Sequence, residues 1–171
     1  MTDEPTHKER VRHPLPPAGV GSYLQVKEAE AEGTEASCKA FGYLRGIRDS
    51  ATSLEFRFLD GNSTWFPYSL MGTWKYNPSE GLLLKFSGDL IYVVLIKGSN
   101  LAKPLNDGAI DLIRAGLQRH RVLWIREMTK EEIRQVDETG PTVDSIEIAE
   151  FESNAEVKDW VNAHAPAFGS E

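Results

Sequence analysis

Leu90-Ile91-Tyr92-Val93-Val94-Leu95-Ile96, followed by Lys97-Gly98-Ser99-Asn100, is the stretch on which the fold turns. An unbroken apolar run stopped by a glycine reads as a strand that is apolar on both faces. Such a strand is central in its sheet, covered on one side by the core and on the other by a helix or a partner. It is far short of the roughly 20 residues a membrane helix needs, so no membrane association is expected.

Working outward, Leu82 to Phe86 joins this strand through Ser87-Gly88-Asp89 and predicts a hairpin. A second hairpin lies upstream, from Ser53 to Leu59 and from Ser63 to Tyr68. Its turn, Asp60-Gly61-Asn62, consists of residues that tolerate positive φ. In its first arm Leu54, Phe56 and Phe58 share one face while Glu55 and Arg57 take the other. Pro67 suits a strand end or a sheet edge. Phe41 to Ile47 is strand-like, Met71 to Tyr76 is ambiguous, and Asn77-Pro78-Ser79-Glu80-Gly81 is a turn. Arg121 to Glu127 closes the domain as a strand, with Val122, Trp124 and Arg126 on one face.

Between these strands Leu101, Leu105, Ala109, Leu112 and Ile113 recur at helical spacing and predict a helix over 101–118. Asn100 would cap it, with Pro104 in its first turn, where proline does least harm. Gly108 weakens it by about 1 kcal/mol, with Asn106-Asp107 as the point of a split. The expected fold is mainly β (α+β): a small antiparallel, partly open β-barrel or sandwich of about five strands with one packed helix and flexible acidic ends.

Charge divides the chain in the same places. Residues 1–38 carry 4 basic and 7 acidic groups, residues 39–128 carry 12 and 8, and residues 129–171 carry 3 and 11. The expected organisation is therefore a flexible N-terminal segment (1–38), a mildly basic β-rich core domain (39–128) and an acidic C-terminal extension with short helices (129–171). The first of these contains Pro5, Pro14, Pro16 and Pro17 without apolar periodicity and reads as disordered over 1–22. Residues 23–38, which include Glu28 to Gly33, read as a linker. In the extension, Thr129-Lys130-Glu131-Glu132 and Ser153-Asn154-Ala155-Glu156 each fit a capping box, and Val157, Trp160 and Val161 would line one side of the second helix. Val143, Ile146 and Ile148 give a marginal strand signal. With a net charge of −7, no secretory leader pattern and one cysteine, the expected location is the cytoplasm.

Catalytic constellations are missing from the sequence. The four histidines, His7, His13, His120 and His164, stand apart, and no His-x-Glu, His-x-x-x-His or Cys-x-x-Cys spacing occurs, so no metal is expected. No serine stands in a Gly-x-Ser-x-Gly elbow. Gly42 and Gly46 lie in a strand-like stretch and lack the Gly-Lys-Ser/Thr of a phosphate loop. Cys38 has only Lys39 as a basic neighbour and reads as an incidental thiol. The expectation is a protein that is not an enzyme and uses no cofactor.

Aromatic residues are more informative. Trp65, Phe66, Tyr68, Trp74 and Tyr76 crowd the stretch after the first hairpin, beside Lys75. They read either as core packing or as an exposed recognition face, since aromatic rings with basic neighbours stack bases or bury protein partners. Arg45, Arg48, Arg57, Lys75, Lys85, Lys97, Arg119 and Arg121 are dispersed along strands and turns, from which a barrel can gather several.

Ile96-Lys97-Gly98-Ser99-Asn100 after a long apolar strand resembles the second motif of the Sm-like family, whose hallmark is Ile-Arg/Lys-Gly. Leu44-x-Gly46 is similar to the start of that family's first motif. This resemblance covers residues 43–101. It implies a bent five-stranded barrel that assembles into a ring and binds RNA, with Lys97 supplying a cation to the base pocket and Gly98 the tight turn beside it.

Sequence alone thus leads to a non-enzymatic interaction or assembly module, acting as a homo-oligomer or on a protein partner. The alternative is an Sm-like single-stranded RNA-binding protein with an autoinhibitory acidic tail. The candidate binding residues are Lys97, Gly98, Asn100, Trp65, Tyr68, Trp74 and Lys75.

Overall fold

Two β-sheets pack face to face in a computed structural model that describes residues 33–105, 108 and 110–169. The disorder expected over 1–22, the linker up to residue 32 and the split at Asn106-Asp107 lie outside the described residues, whereas Glu35–Ser37 of the expected linker forms a strand paired with Phe41–Leu44. The five-stranded sheet has the order β1 (Glu35–Ser37), β2 (Phe41–Leu44), β8 (Val122–Arg126), β3 (Ser53–Arg57), β4 (Ser63–Pro67). The four-stranded sheet has the order β5 (Met71–Asn77), β6 (Gly81–Ser87), β7 (Ile91–Lys97), β9 (Ser145–Phe151). The mainly β, small-sandwich expectation holds, and the barrel is not closed. All neighbouring strands run antiparallel except β3 and β8, which are parallel with Phe56 opposite Ile125.

Both expected hairpins form. β3 and β4 pair around the Asp60 turn, where the Asp60 carboxylate accepts from the Asn62 backbone N–H at 2.8 Å. β6 and β7 pair from Leu82–Ile96 to Ser87–Ile91. The inward faces of the two sheets meet through aromatic rings: Phe66 of β4 stacks on Phe86 of β6 at 4.5 Å, and Phe56 of β3 meets both edge-on. Each buried ring of this kind contributes roughly 1.5–3 kcal/mol by leaving water. Glu127 links the sheets at one end, its carboxylate accepting from Leu59 N at 3.0 Å and Ile146 N at 2.9 Å.

The described residues of 101–118 do not form the expected helix. Leu101, Leu112, Ile113 and Leu117 are buried in the main core, but they reach it from a loop and two short helical turns, Leu112–Gly116 and Leu117–Arg119. Asp111 opens the first, its carboxylate accepting from the N–H groups of Ile113, Arg114 and Ala115. Asn100 does not cap a helix. It holds φ 58 and its side-chain amide donates to the carbonyls of Glu138 and Gly140, both at 3.0 Å.

Covering of β7 comes instead from the acidic extension. Both expected capping boxes are present, on α1 (Lys130–Gln135) and α2 (Asn154–His164). β9 pairs with β7 along seven residues, so the four-stranded sheet runs across the boundary placed at residue 128. Val94 and Ile96 of β7 enter the main core. On the opposite face Leu95 joins Val161, Ala165 and Phe168 in a second cluster, with Leu83, Val157 and Trp160 packed beside it. Among the described residues no helix is long and apolar enough to cross a membrane.

Candidate functional site

The face of the four-stranded sheet turned away from the main core alternates apolar and basic residues. Period-2 alternation puts Thr73 and Lys75 of β5, Leu83 and Lys85 of β6, and Val93 and Leu95 of β7 on this one side. Lys75 lies opposite Leu83, and Lys85 lies opposite Val93. Lys75 and Lys85 are therefore diagonal neighbours across β5 and β6, with Cβ atoms roughly 7–8 Å apart or somewhat less. Two long side chains at that separation can bring their ammonium groups to one point.

α2 and the turn after it, Pro166–Phe168, lie over this face and leave a groove of ≈ 400 Å³. Leu83, Val93, Val157, Val161 and Phe168 give it an apolar floor and wall, and Lys75, Lys85 and Lys158 bring three ammonium groups to it. Thr73, Asn154 and Gly169 complete the lining, which among the described residues contains no carboxylate. Two of the lysines also fasten the cover: Lys85 Nζ donates to Asn154 Oδ1 at 2.6 Å, and Lys75 Nζ donates to the Phe168 carbonyl at 3.4 Å. Among the described residues, none of the three pairs with a carboxylate.

Most other cations among the described residues likewise lack a carboxylate partner, and the arginines that have one are Arg57, Arg126 and Arg134. Arg57 pairs with Glu55 at 2.9 Å and Arg126 with Glu132 at 2.6 Å. Glu150, Glu152 and Glu156 line a separate depression with Leu90 and Phe151. Comparison with protein-family models, with curated proteins and with solved structures finds no significant match.

Of the candidate binding residues read from the sequence, only Lys75 lies in this groove. Its neighbour Trp74 points the other way and packs against the main core. Tyr68 is buried, its hydroxyl donating to the Val122 carbonyl at 2.7 Å, and burial pushes its ionisation far up. It is a core residue. Trp65 is 59% exposed on the edge strand β4, on the outer face of the other sheet. Lys97 is exposed at the end of β7.

Gly98 and Asn100 belong to a clasp that holds the 138–144 loop. Ser99 and Thr142 exchange backbone hydrogen bonds at 3.2 and 3.0 Å, and Asp144 N donates to the Lys97 carbonyl at 2.7 Å. A Cβ built on Gly98 would run into the Thr142 carbonyl oxygen, so the close approach of that loop requires the glycine.

Lys85 stood in the sequence only as one of several dispersed cations, and Lys158 carried no signal at all. What could have found them is the opposed alternation of β6, where Leu82, Leu84 and Phe86 face the core while Leu83 and Lys85 face away. Cys38 offers no nucleophile: burial pushes its thiol up, and its S–H donates to the Phe41 carbonyl at 3.6 Å. The groove lining likewise presents no nucleophile beside a base and no pair of carboxyl groups. Its chemistry is that of holding an anion above an apolar surface.

Proposed function

We propose that this chain is a non-enzymatic binding module whose site is the lysine groove between the four-stranded sheet and α2, and that its ligand carries a negative charge on an apolar body. One observation carries the reading: Lys75, Lys85 and Lys158 stand at an apolar floor without a carboxylate partner among the described residues. An anion entering a groove lined by three lysines gains their attraction while its apolar part leaves water. A volume of ≈ 400 Å³ lies within the range of small-molecule sites.

The test uses two aromatic probes of similar shape. The full chain is titrated with 1-anilinonaphthalene-8-sulfonate, an anion, and with neutral N-phenyl-1-naphthylamine, at low and high salt. The anion binds at least tenfold more tightly at low salt, and its advantage shrinks as salt screens the lysines. Equal affinity for the two probes at both salt concentrations would contradict the reading.

A further inference from the structure

We infer that the occupant of the lysine groove is a free medium-chain alkyl carboxylate, an inference that rests on the binding reading above and narrows it to one ligand class. The floor decides the body of the ligand. Leu83, Val93, Val157 and Val161 are aliphatic and Phe168 supplies the one ring, so the surface suits a flexible hydrocarbon chain better than a stacked base. The polar lining decides what the ligand lacks. Apart from the ammonium groups it offers the Thr73 hydroxyl, the Asn154 side-chain amide and the Phe168 carbonyl, and the two carbonyl oxygens already accept from Lys85 and Lys75. A sugar or a nucleobase needs several free, placed acceptors as well as donors.

Placement of the head follows from the lysines. Lys75 and Lys85 are diagonal neighbours on one sheet face, and the bond from Lys75 to the Phe168 carbonyl is long at 3.4 Å. A carboxylate exchanges that neutral acceptor for a charged one and adds the attraction between opposite charges to a bond the ammonium already strengthens. With the head between Lys75 and Lys85, the tail runs beneath α2 along Val157 and Val161, and Lys158 closes the anionic end from the helix side.

The experiment saturates the full chain with 1-anilinonaphthalene-8-sulfonate and displaces it with octanoate, octan-1-ol or acetate, and in parallel measures co-sedimentation with vesicles of phosphatidylglycerol. Octanoate displaces the probe at a concentration at least tenfold below that of either control, and the vesicles sediment no protein. The double variant K75Q/K85Q weakens octanoate at least tenfold, whereas K103Q, an exposed lysine outside the groove, leaves it unchanged. Should the double variant lose its fold, K158Q on the exposed side of α2 is expected to weaken octanoate at least threefold. Octanol or acetate matching octanoate, or vesicle binding that octanoate does not reverse, overturns the inference. If the probe binds through the lysines and octanoate fails to displace it, this inference falls while the binding reading stands. If probe binding ignores the lysines, both fall.

Discussion

Lys85 Nζ and Asn154 Oδ1 lie 2.6 Å apart, and this hydrogen bond ties an interior strand of the four-stranded sheet to the first turn of α2 across 69 positions of sequence. The same lysine lines the groove and fastens its cover, so the site and the docking of α2 depend on one side chain.

Replacing Lys85 with alanine is therefore expected to loosen α2. The cost is that of one partly exposed hydrogen bond to a charged donor, about 1 kcal/mol. Hydrogen exchange of the α2 amides should quicken while that of β6 and β7 stays slow. Unchanged exchange in α2 would show that the apolar cluster around Val161 holds the helix unaided.

Leu95 is the strand residue on which that cluster rests, 1% exposed and packed with Val161, Ala165 and Phe168. Leu95→Ala should cost about 2–5 kcal/mol through lost burial and the cavity it leaves. Trp65→Ala, at an exposed position on an edge strand, should change stability by no more than about 0.5 kcal/mol. Urea unfolding of both variants checks the contrast. Equal losses would mean that β7 is not the centre of its sheet.

Gly98→Ala should destabilise by about 1–3 kcal/mol, the scale of a strained backbone position, because the new methyl group meets the Thr142 carbonyl. The thermal midpoint reports it. A wild-type midpoint would show that the 138–144 loop can move aside, and that the glycine after Lys97 has another purpose.

The Arg126 guanidinium beside Glu132 holds that carboxyl below the usual carboxylate range, with the Thr129 backbone N–H assisting. A depressed folded pKa contributes stability above the unfolded value, about 4.3, and that share is lost as pH falls through the folded value. Glu132→Gln keeps the capping geometry and removes the charge. It should lower stability at pH 7 by at most about 1 kcal/mol, since the pair is partly solvated. At pH 3 the difference from the unaltered chain should have narrowed. A constant difference at both pH values would locate its cause in packing rather than charge.

How much of this was legible in the sequence differs by element. Both hairpins were, because Asp60-Gly61-Asn62 and Ser87-Gly88-Asp89 are local signals flanked by alternating residues. Both capping boxes were as well, being patterns four residues long. The helix over 101–118 was misread because Leu101, Leu112, Ile113 and Leu117 are buried by tertiary packing from loops and short turns, and their spacing coincides with a helical period. The parallel pairing of β3 with β8 joins Phe56 to Ile125, and no local pattern encodes that separation.

The groove was illegible for a related reason. The diagonal of Lys75 and Lys85 follows from the β5–β6 register, which shifts between Met71 and Trp74. Lys158 reaches the same place from a helix more than 70 positions later. The clustered aromatics and the Ile96-Lys97-Gly98 turn drew notice because they are contiguous, whereas the three cations converge only in space.

The most direct test maps amide chemical shifts of the full, isotopically labelled chain as 1-anilinonaphthalene-8-sulfonate is added. Shifts concentrated at Lys75, Leu83, Lys85, Val93, Val157 and Val161, and absent around Trp65 and Lys97, are the predicted result. Shifts centred on Trp65, on Lys97, or spread without a centre would contradict the assignment of the groove as the binding site.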